Sequence, residues 1–190
     1  MESLLGIAAG LALAAAAGFR VFVPLLVLSA AARSGWLELG PGFEWIATTQ
    51  AVLVFSTATV LEIAAYYVPF LDNLLDTVAA PAAVMAGMLA SASVMMDLPP
   101  WLHYSVAIAG AGGTAGLMAA STSLLRLKSS GLTAGMGNAF LATFELVGAL
   151  GVALIAVLAP LLALVVVTAL LAFAIRRLVR RRPHGASRTA

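Results

Sequence analysis

Six long apolar runs dominate this 190-residue sequence and limit what the chain can fold into. They cover residues 4–32, 45–68, 74–96, 102–125, 139–159 and 161–179. A helix needs about 20 apolar residues to cross a bilayer, and a soluble domain carries about 25% charged residues. Only 9% of the residues here are charged, and 63% are hydrophobic. We therefore predict an all-α, polytopic transmembrane bundle of about six helices, forming one domain over residues 1–179.

The basic residues are concentrated after the last apolar run. Six of the ten lysines and arginines lie in the last fifteen residues, which is typical of a cytoplasmic anchor. Residues 180–190 are therefore expected to form a disordered cytoplasmic tail. Six spans place both termini on one side, which the positive-inside rule identifies as the cytoplasm of an inner (plasma) membrane. The lipid bilayer is the expected partner, and the acidic remainder of the chain argues against nucleic acid binding.

Arg20 is the only charged residue within the first apolar run. Its exposure to lipid would cost roughly 2.5–3.5 kcal/mol. Pro24 has no N–H to donate to the carbonyl of Arg20, so the helix is expected to break or kink there. Arg20 is therefore predicted to point into the bundle. There it either contacts an anion, a substrate or a gate, or forms a structural salt bridge with Glu62 or Glu145.

One pattern of glycine and arginine occurs twice. Gly6, Gly10 and Arg20 have counterparts at Gly112, Gly116 and Arg126. Glu62 and Glu145 also follow in similar contexts. The pattern predicts two three-helix repeats over residues 1–97 and 102–179, the second inverted because an odd number of spans reverses the chain. The alternative is chance similarity in a chain rich in alanine, glycine and leucine.

Small and helix-breaking residues are expected to govern helix packing. Glycines four positions apart let a neighbouring helix approach closely, and proline interrupts the backbone hydrogen bonds. The predicted packing and hinge residues are Gly6, Gly10, Gly18, Pro24, Gly112 and Gly116.

Polar residues inside the apolar runs are the candidate functional residues. The charged candidates are Arg20, Glu62, Arg126 and Glu145, and the secondary candidates are Tyr66, Asp72, Asp76 and Asn138. A carboxylate in an apolar helix can carry protons or bind a cation, or it can balance an arginine. Asp72 and Asp76 are one turn apart, which suits a divalent ion, but acids that open a helix more often stabilise its N-terminus.

The usual signs of a cofactor or catalytic site are missing from the sequence. There is no cysteine, and the two histidines stand alone without the spacing of metal ligands. The glycine-rich "GAGGTAG" lacks the lysine of a phosphate-binding loop. We therefore expect no metal, no cofactor and no enzymatic activity.

Three segments read "GLALAAAAGFRVFVPLL", "EIAAYYVPFLDNLLD" and "GGTAGLMAASTSLLR". Together they resemble a family of small bacterial inner-membrane proteins known only as domain of unknown function number four-one-two-six. The resemblance covers about residues 5–175. It implies a membrane location, but it assigns neither an activity nor any catalytic or binding residue.

Two functions fit these observations. The first is a small-solute or ion transporter or channel, with the charged residues near its midplane or vestibule. The alternative is a non-transporting partner subunit or scaffold, alone or as a homo-oligomer, whose charges only join helices. A water-accessible cavity that reaches Arg20 or Glu62 would favour the first. The sequence leaves open whether residues 126–138 form a loop or a re-entrant segment, and whether residues 139–179 form two helices or one.

Overall fold

A computed structural model of the protein describes residues 2–96, 98–133 and 137–179, and within these ranges all regular structure is helical. Three helices are long and apolar enough to cross a membrane: Thr49–Tyr66, Pro100–Leu132 and Asn138–Leu158. Four shorter helices are also apolar: Ser3–Phe19, Phe22–Arg33, Val78–Val94 and Pro160–Phe173. These features support an all-α membrane protein. The predicted tail, residues 180–190, lies outside the described residues.

The helices follow the predicted apolar runs, except that the first run is divided in two. In chain order they are α1 (Glu2–Phe19), α2 (Phe22–Arg33), a 3₁₀ helix (Glu44–Ala47), α3 (Thr49–Tyr66), α4 (Pro69–Val94), α5 (Pro100–Ser105), a π-helix (Val106–Gly112), α6 (Gly113–Thr133), α7 (Asn138–Leu158) and α8 (Pro160–Val179). The segments from α5 to α6 form one continuous helix. The described chain therefore contains seven long helical segments.

The first apolar run turns back on itself. Gly6, near the start of α1, lies against the carbonyl of Val94 at the end of α4. Beyond α2, the N–H of Gly40 donates to the carbonyl of Ser93 at 2.8 Å, next to the same end of α4. Since α1 alone is about 27 Å long, α2 must run back toward the end where α1 began. The prediction of a single span over residues 4–32 is therefore wrong.

This reversal changes the predicted topology. Each helical segment runs opposite to the one before it, so seven segments place the start of α1 and the end of α8 at opposite ends of the bundle. The last reversal is at Ala159, whose backbone leaves the helical conformation (φ −148°, ψ 71°) between α7 and α8. From there α8 packs back along α7 and α1. The prediction of six spans with both termini on one side is wrong, because the first run supplies two segments.

The two glycine–arginine segments lie side by side and run in the same direction. Leu11 of α1 contacts Gly110, and Gly18 of α1 contacts Ala115 of α6. Inverted repeats would place these two helices in opposite directions. The prediction of two inverted three-helix repeats is therefore wrong for this pair.

The helix boundaries bear on two questions left open by the sequence. Of the segment 126–138, residues 126–133 continue α6, Asn138 begins α7, and residues 134–136 lie outside the described residues. Residues 139–179 lie in two helices, because α7 ends at Leu158 and α8 begins at Pro160.

The helix α1 is the central element of the bundle. It contacts α4, α6, α7 and α8, and its residues Ala8 to Ala17 include eight apolar side chains that are at most 3% exposed. Small side chains allow several helices to approach one axis closely. The large apolar side chains of the outer helices remain exposed, as a lipid-facing surface requires. Because α1 ends at Phe19, the residue that follows it, Arg20, lies at the centre of the bundle.

Candidate functional site

The four predicted intramembrane charges meet where α1 gives way to α2. Arg20 follows α1, Glu62 lies one turn before the end of α3, Arg126 lies in α6 and Glu145 lies in α7. Their exposed fractions are 2%, 7%, 3% and 7%. Four separate elements therefore converge on one buried charged cluster, which is defined here by these residues and Tyr66.

The strongest ion pair in the cluster joins Arg126 to Glu145. The Nε atom of Arg126 donates to Oε1 of Glu145 at 3.1 Å, and its Nη2 atom donates to Oε2. Two parallel hydrogen bonds between a guanidinium and a carboxylate fix both groups in orientation as well as in charge. This pair ties α6 to α7.

Arg20 shares the same carboxylate at a longer distance. Its Nη2 atom lies 3.7 Å from Oε2 of Glu145 and donates to the carbonyl of Ala142 at 2.8 Å. The Nε and Nη1 atoms of Arg20 are buried without a hydrogen-bond partner. The prediction that Arg20 points into the bundle within reach of a carboxylate is confirmed.

Glu62 does not bind its predicted partner Arg20 directly; it binds the first turn of α2. Its Oε1 accepts a hydrogen bond from the N–H of Val21 at 2.8 Å, and its Oε2 accepts one from the N–H of Phe22 at 3.1 Å. The first N–H groups of a helix lack partners within the helix and carry a partial positive charge. Glu62 satisfies two of them from a neighbouring helix, so it holds the break between α1 and α2 in place.

Tyr66 joins the two arginines. The Cζ atoms of Arg20 and Arg126 lie 3.8 and 4.1 Å from the centroid of its ring. A guanidinium is attracted to the face of an aromatic ring, and the attraction grows where water is excluded. Because Tyr66 is one helical turn after Glu62, α3 presents a carboxylate and an aromatic ring to the cluster from one face.

A small cleft reaches the charged cluster. Its cavity volume for a water-sized molecule is about 10 Å³, roughly the room that one water needs. Its polar lining consists of Glu62, Tyr66, Thr122, Ser123, Arg126 and Glu145. The rest of its lining consists of Gly18, Phe19, Val21 and alanines of α1, α4 and α6. Arg126 lies about 10 Å before the end of α6, so the cleft reaches into the bundle and not only its surface.

Of the remaining polar candidates, the structure describes the side chain of Asn138 but not those of Asp72 and Asp76. Asn138 is buried at the start of α7, where its Nδ2 atom donates to Oγ of Ser130 at 2.9 Å. Asp72 and Asp76 lie in the first two turns of α4, but their side chains are outside what the structure describes. Among the described residues no group of three or more histidine, aspartate or glutamate side chains could hold a metal ion.

The predicted packing glycines all face neighbouring helices. Gly6 and Gly10 meet α4, Gly18 meets α6, and Gly112 and Gly116 meet α4. A methyl group added at Gly18 would lie 2.6 Å from the carbonyl oxygen of Ala115. Gly18 therefore permits the close contact between α1 and α6 directly before the charged cluster.

The model of the family described as Domain of unknown function (DUF4126) matches residues 7–180. The chain belongs to this family. The resemblance read from the sequence is thereby confirmed. No curated protein and no solved structure matches the chain.

Some partners in the site of this DUF4126 protein could not be named from its sequence. The sequence indicated the N–H groups of Val21 and Phe22 only indirectly, because a helix that breaks before Pro24 must expose new N-terminal donors. No sequence signal could indicate the carbonyl of Ala142, since every residue carries a carbonyl. Thr122 is not among the predicted site residues, but it lines the cleft.

Proposed function

We propose that this DUF4126 protein is a membrane transporter or channel for a small solute or ion. The observation that carries the proposal is the cleft that reaches Glu62 and the Arg126–Glu145 pair at the break between α1 and α2. Broken helices that present backbone N–H groups to a charged site are a common way to build a transport site within a membrane.

The energetics of the cluster support a functional role. Charged groups inside a membrane bundle are costly, and where they occur they commonly mark pathways for solutes, ions or protons. A purely structural cluster would need neither a polar cleft nor a buried guanidinium with two nitrogen atoms that lack partners. We therefore favour transport over catalysis, in the inner membrane and without a cofactor. A homo-oligomer stays a prediction.

The experiment that tests this proposal is a flux screen on purified protein in liposomes, for monovalent ions and small solutes. Ser123→Leu should lower the flux, because Ser123 lines the cleft and a larger side chain would fill it. Ser121→Leu is the matched control: its hydroxyl donates to the carbonyl of Leu117 in its own helix, and it does not line the cleft. Equal flux in the two variants would argue against this cleft as the route.

The alternative is a non-transporting partner subunit or scaffold, and the Arg126–Glu145 pair favours it. That pair joins α6 to α7 with two hydrogen bonds, which is enough to explain both residues as structural. Under this alternative the liposomes show no flux above empty vesicles for any solute, whichever serine is changed.

A further inference from the structure

The carboxylate of Glu62 occupies the position of a bound anion. It accepts hydrogen bonds from the N–H groups of Val21 at 2.8 Å and Phe22 at 3.1 Å, at the start of the twelve-residue helix α2. Backbone N–H groups at a helix start are a common binding site for anions. Here the anion is a side chain from another helix, so the structure already shows that a carboxylate fits at this place.

The side chain of Arg20 has buried hydrogen-bond donors that are not paired with a protein acceptor. Its side chain is 1% exposed, and its Nε and Nη1 atoms have no hydrogen-bond partner. It directly precedes Val21 in the chain and interacts electrostatically with Glu62. Because buried donors are rarely left unpaired, these two atoms point to a ligand or water at this place.

The two carboxylates of the cluster differ in how firmly they are held. Glu145 receives two hydrogen bonds from Arg126 and also lies near Arg20, so both arginines hold its carboxylate in place. The hydrogen bonds of Glu62 come from neutral backbone groups. The described charged or titratable groups around Glu62 are Arg20 after α1, Arg126 on α6, Glu145 on α7 and Tyr66 on its own helix. From α4 the described cleft residues are Ala79 and Ala83, and the side chains of Asp72 and Asp76 lie outside the described residues. Protonation of Glu62 would therefore remove the anion from α2 without breaking a direct ion pair.

We propose that the start of α2 and Arg20 form a binding site for a small monovalent anion, which Glu62 fills when ionised and vacates when protonated. The proposal rests on the proposed transport function and gives it a substrate class, a halide or a short carboxylate taken up with one proton. The net charge of the cluster is the same in both states, since one proton and one anion enter together.

The test measures binding through thermal stability of the purified protein across a pH series. The probes are sodium chloride and sodium formate, with sodium gluconate at equal ionic strength as the bulky control. Chloride or formate should raise the melting temperature more than gluconate does. The apparent affinity should increase about tenfold for each pH unit that the pH falls, because one proton binds with each anion.

Glu62→Gln copies the protonated state, so this variant should bind the anion with an affinity that no longer changes with pH. Glu44→Gln is the matched control, since Glu44 is exposed in the 3₁₀ helix and should leave the pH dependence unchanged. The proposal is overturned if no small anion stabilises the wild-type protein at any pH, or if Glu62→Gln keeps the pH dependence. Should Glu62→Gln not fold, the wild-type series together with Glu62→Ala decides the matter.

Failure of this site and failure of the transport function give different results. Anion-specific stabilisation without flux in liposomes would support the site and contradict transport. Flux that depends on neither small anions nor pH would support transport and overturn the anion site.

Discussion

At the scale of single residues, the cluster shows why a buried charge in a membrane protein needs more than one partner. Glu145 balances two arginines, yet the bonds are unequal: Arg126 donates twice, and Arg20 approaches only to 3.7 Å. Arg20 completes its environment with a backbone carbonyl and the ring of Tyr66. The sequence could name Glu145 as a partner of Arg20. It could not show that Arg126 would bind Glu145 more tightly, because that depends on how helices distant in the sequence pack together.

We expect Arg126→Met to destabilise the protein by roughly 3–5 kcal/mol, since Glu145 would lose its two hydrogen bonds while remaining buried. Combining it with Glu145→Gln should restore part of that loss, and the double-mutant cycle measured by unfolding in mixed micelles gives the coupling energy. Arg176→Met is the control, because Arg176 is exposed on α8 and its replacement should change stability by about 0.5 kcal/mol or less. If Arg126→Met and Arg176→Met lower the stability equally, the buried pair has no structural role.

At the scale of helices, the apolar runs could be located from the sequence, but their directions could not. Pro24 explains why no helix passes through Arg20, since it removes one N–H donor. The same fact is compatible with a kink, a bend or a complete reversal. The contacts of Gly6 and Gly40 with the end of α4 show the reversal, and these are long-range contacts with no local signal.

The contact between α1 and α6 gives a test at this scale. Gly18→Ala should destabilise the protein by about 1–3 kcal/mol, because the added methyl group would lie 2.6 Å from the carbonyl oxygen of Ala115 and 3.1 Å from the amide nitrogen of Ala119. Backbone atoms cannot move aside as a flexible side chain can. Thermal unfolding in detergent measures the change.

Gly113→Ala is the matched control for this helix pair. Nothing lies within 4 Å of a methyl group added at Gly113, so the variant should be as stable as the parent or gain up to about 1 kcal/mol from helix propensity. If Gly18→Ala unfolds at the same temperature as Gly113→Ala, the two helices do not pack at Gly18.

At the scale of the whole molecule, composition was enough to predict a helical membrane protein, whereas counting spans was not enough to predict the topology. One reversed segment among seven moves a terminus to the other end of the bundle. The repeat of glycine and arginine was visible in the sequence, but α1 and α6 lie parallel, so similar local packing does not imply inverted halves. Topology depends on the number of reversals, and a single two-residue turn at Arg20 and Val21 changes that number.

The charges at the two ends of the bundle predict its orientation in the membrane. Lys128 and Arg176 are exposed at the end where α6 and α8 finish, and five further arginines follow in the sequence. Arg33, Glu38 and Glu44 lie toward the opposite end, which is net acidic. Because cytoplasmic segments carry the excess of lysine and arginine, the end of α8 should face the cytoplasm and the start of α1 should face the outside.

The absence of cysteine from the chain makes this orientation directly measurable. Single cysteines placed before Met1 and at Ser34 should react with a membrane-impermeant maleimide in intact cells, whereas Leu132→Cys, at the end of α6, should react only after the membrane is opened. Ser34 and Leu132 are both exposed, so accessibility within the protein does not separate them. A cysteine before Met1 that is protected together with Leu132→Cys would return both termini to the cytoplasm. That result would require the first apolar run to cross the membrane once, and it would place Arg20 partway along a single span with no turn at its side.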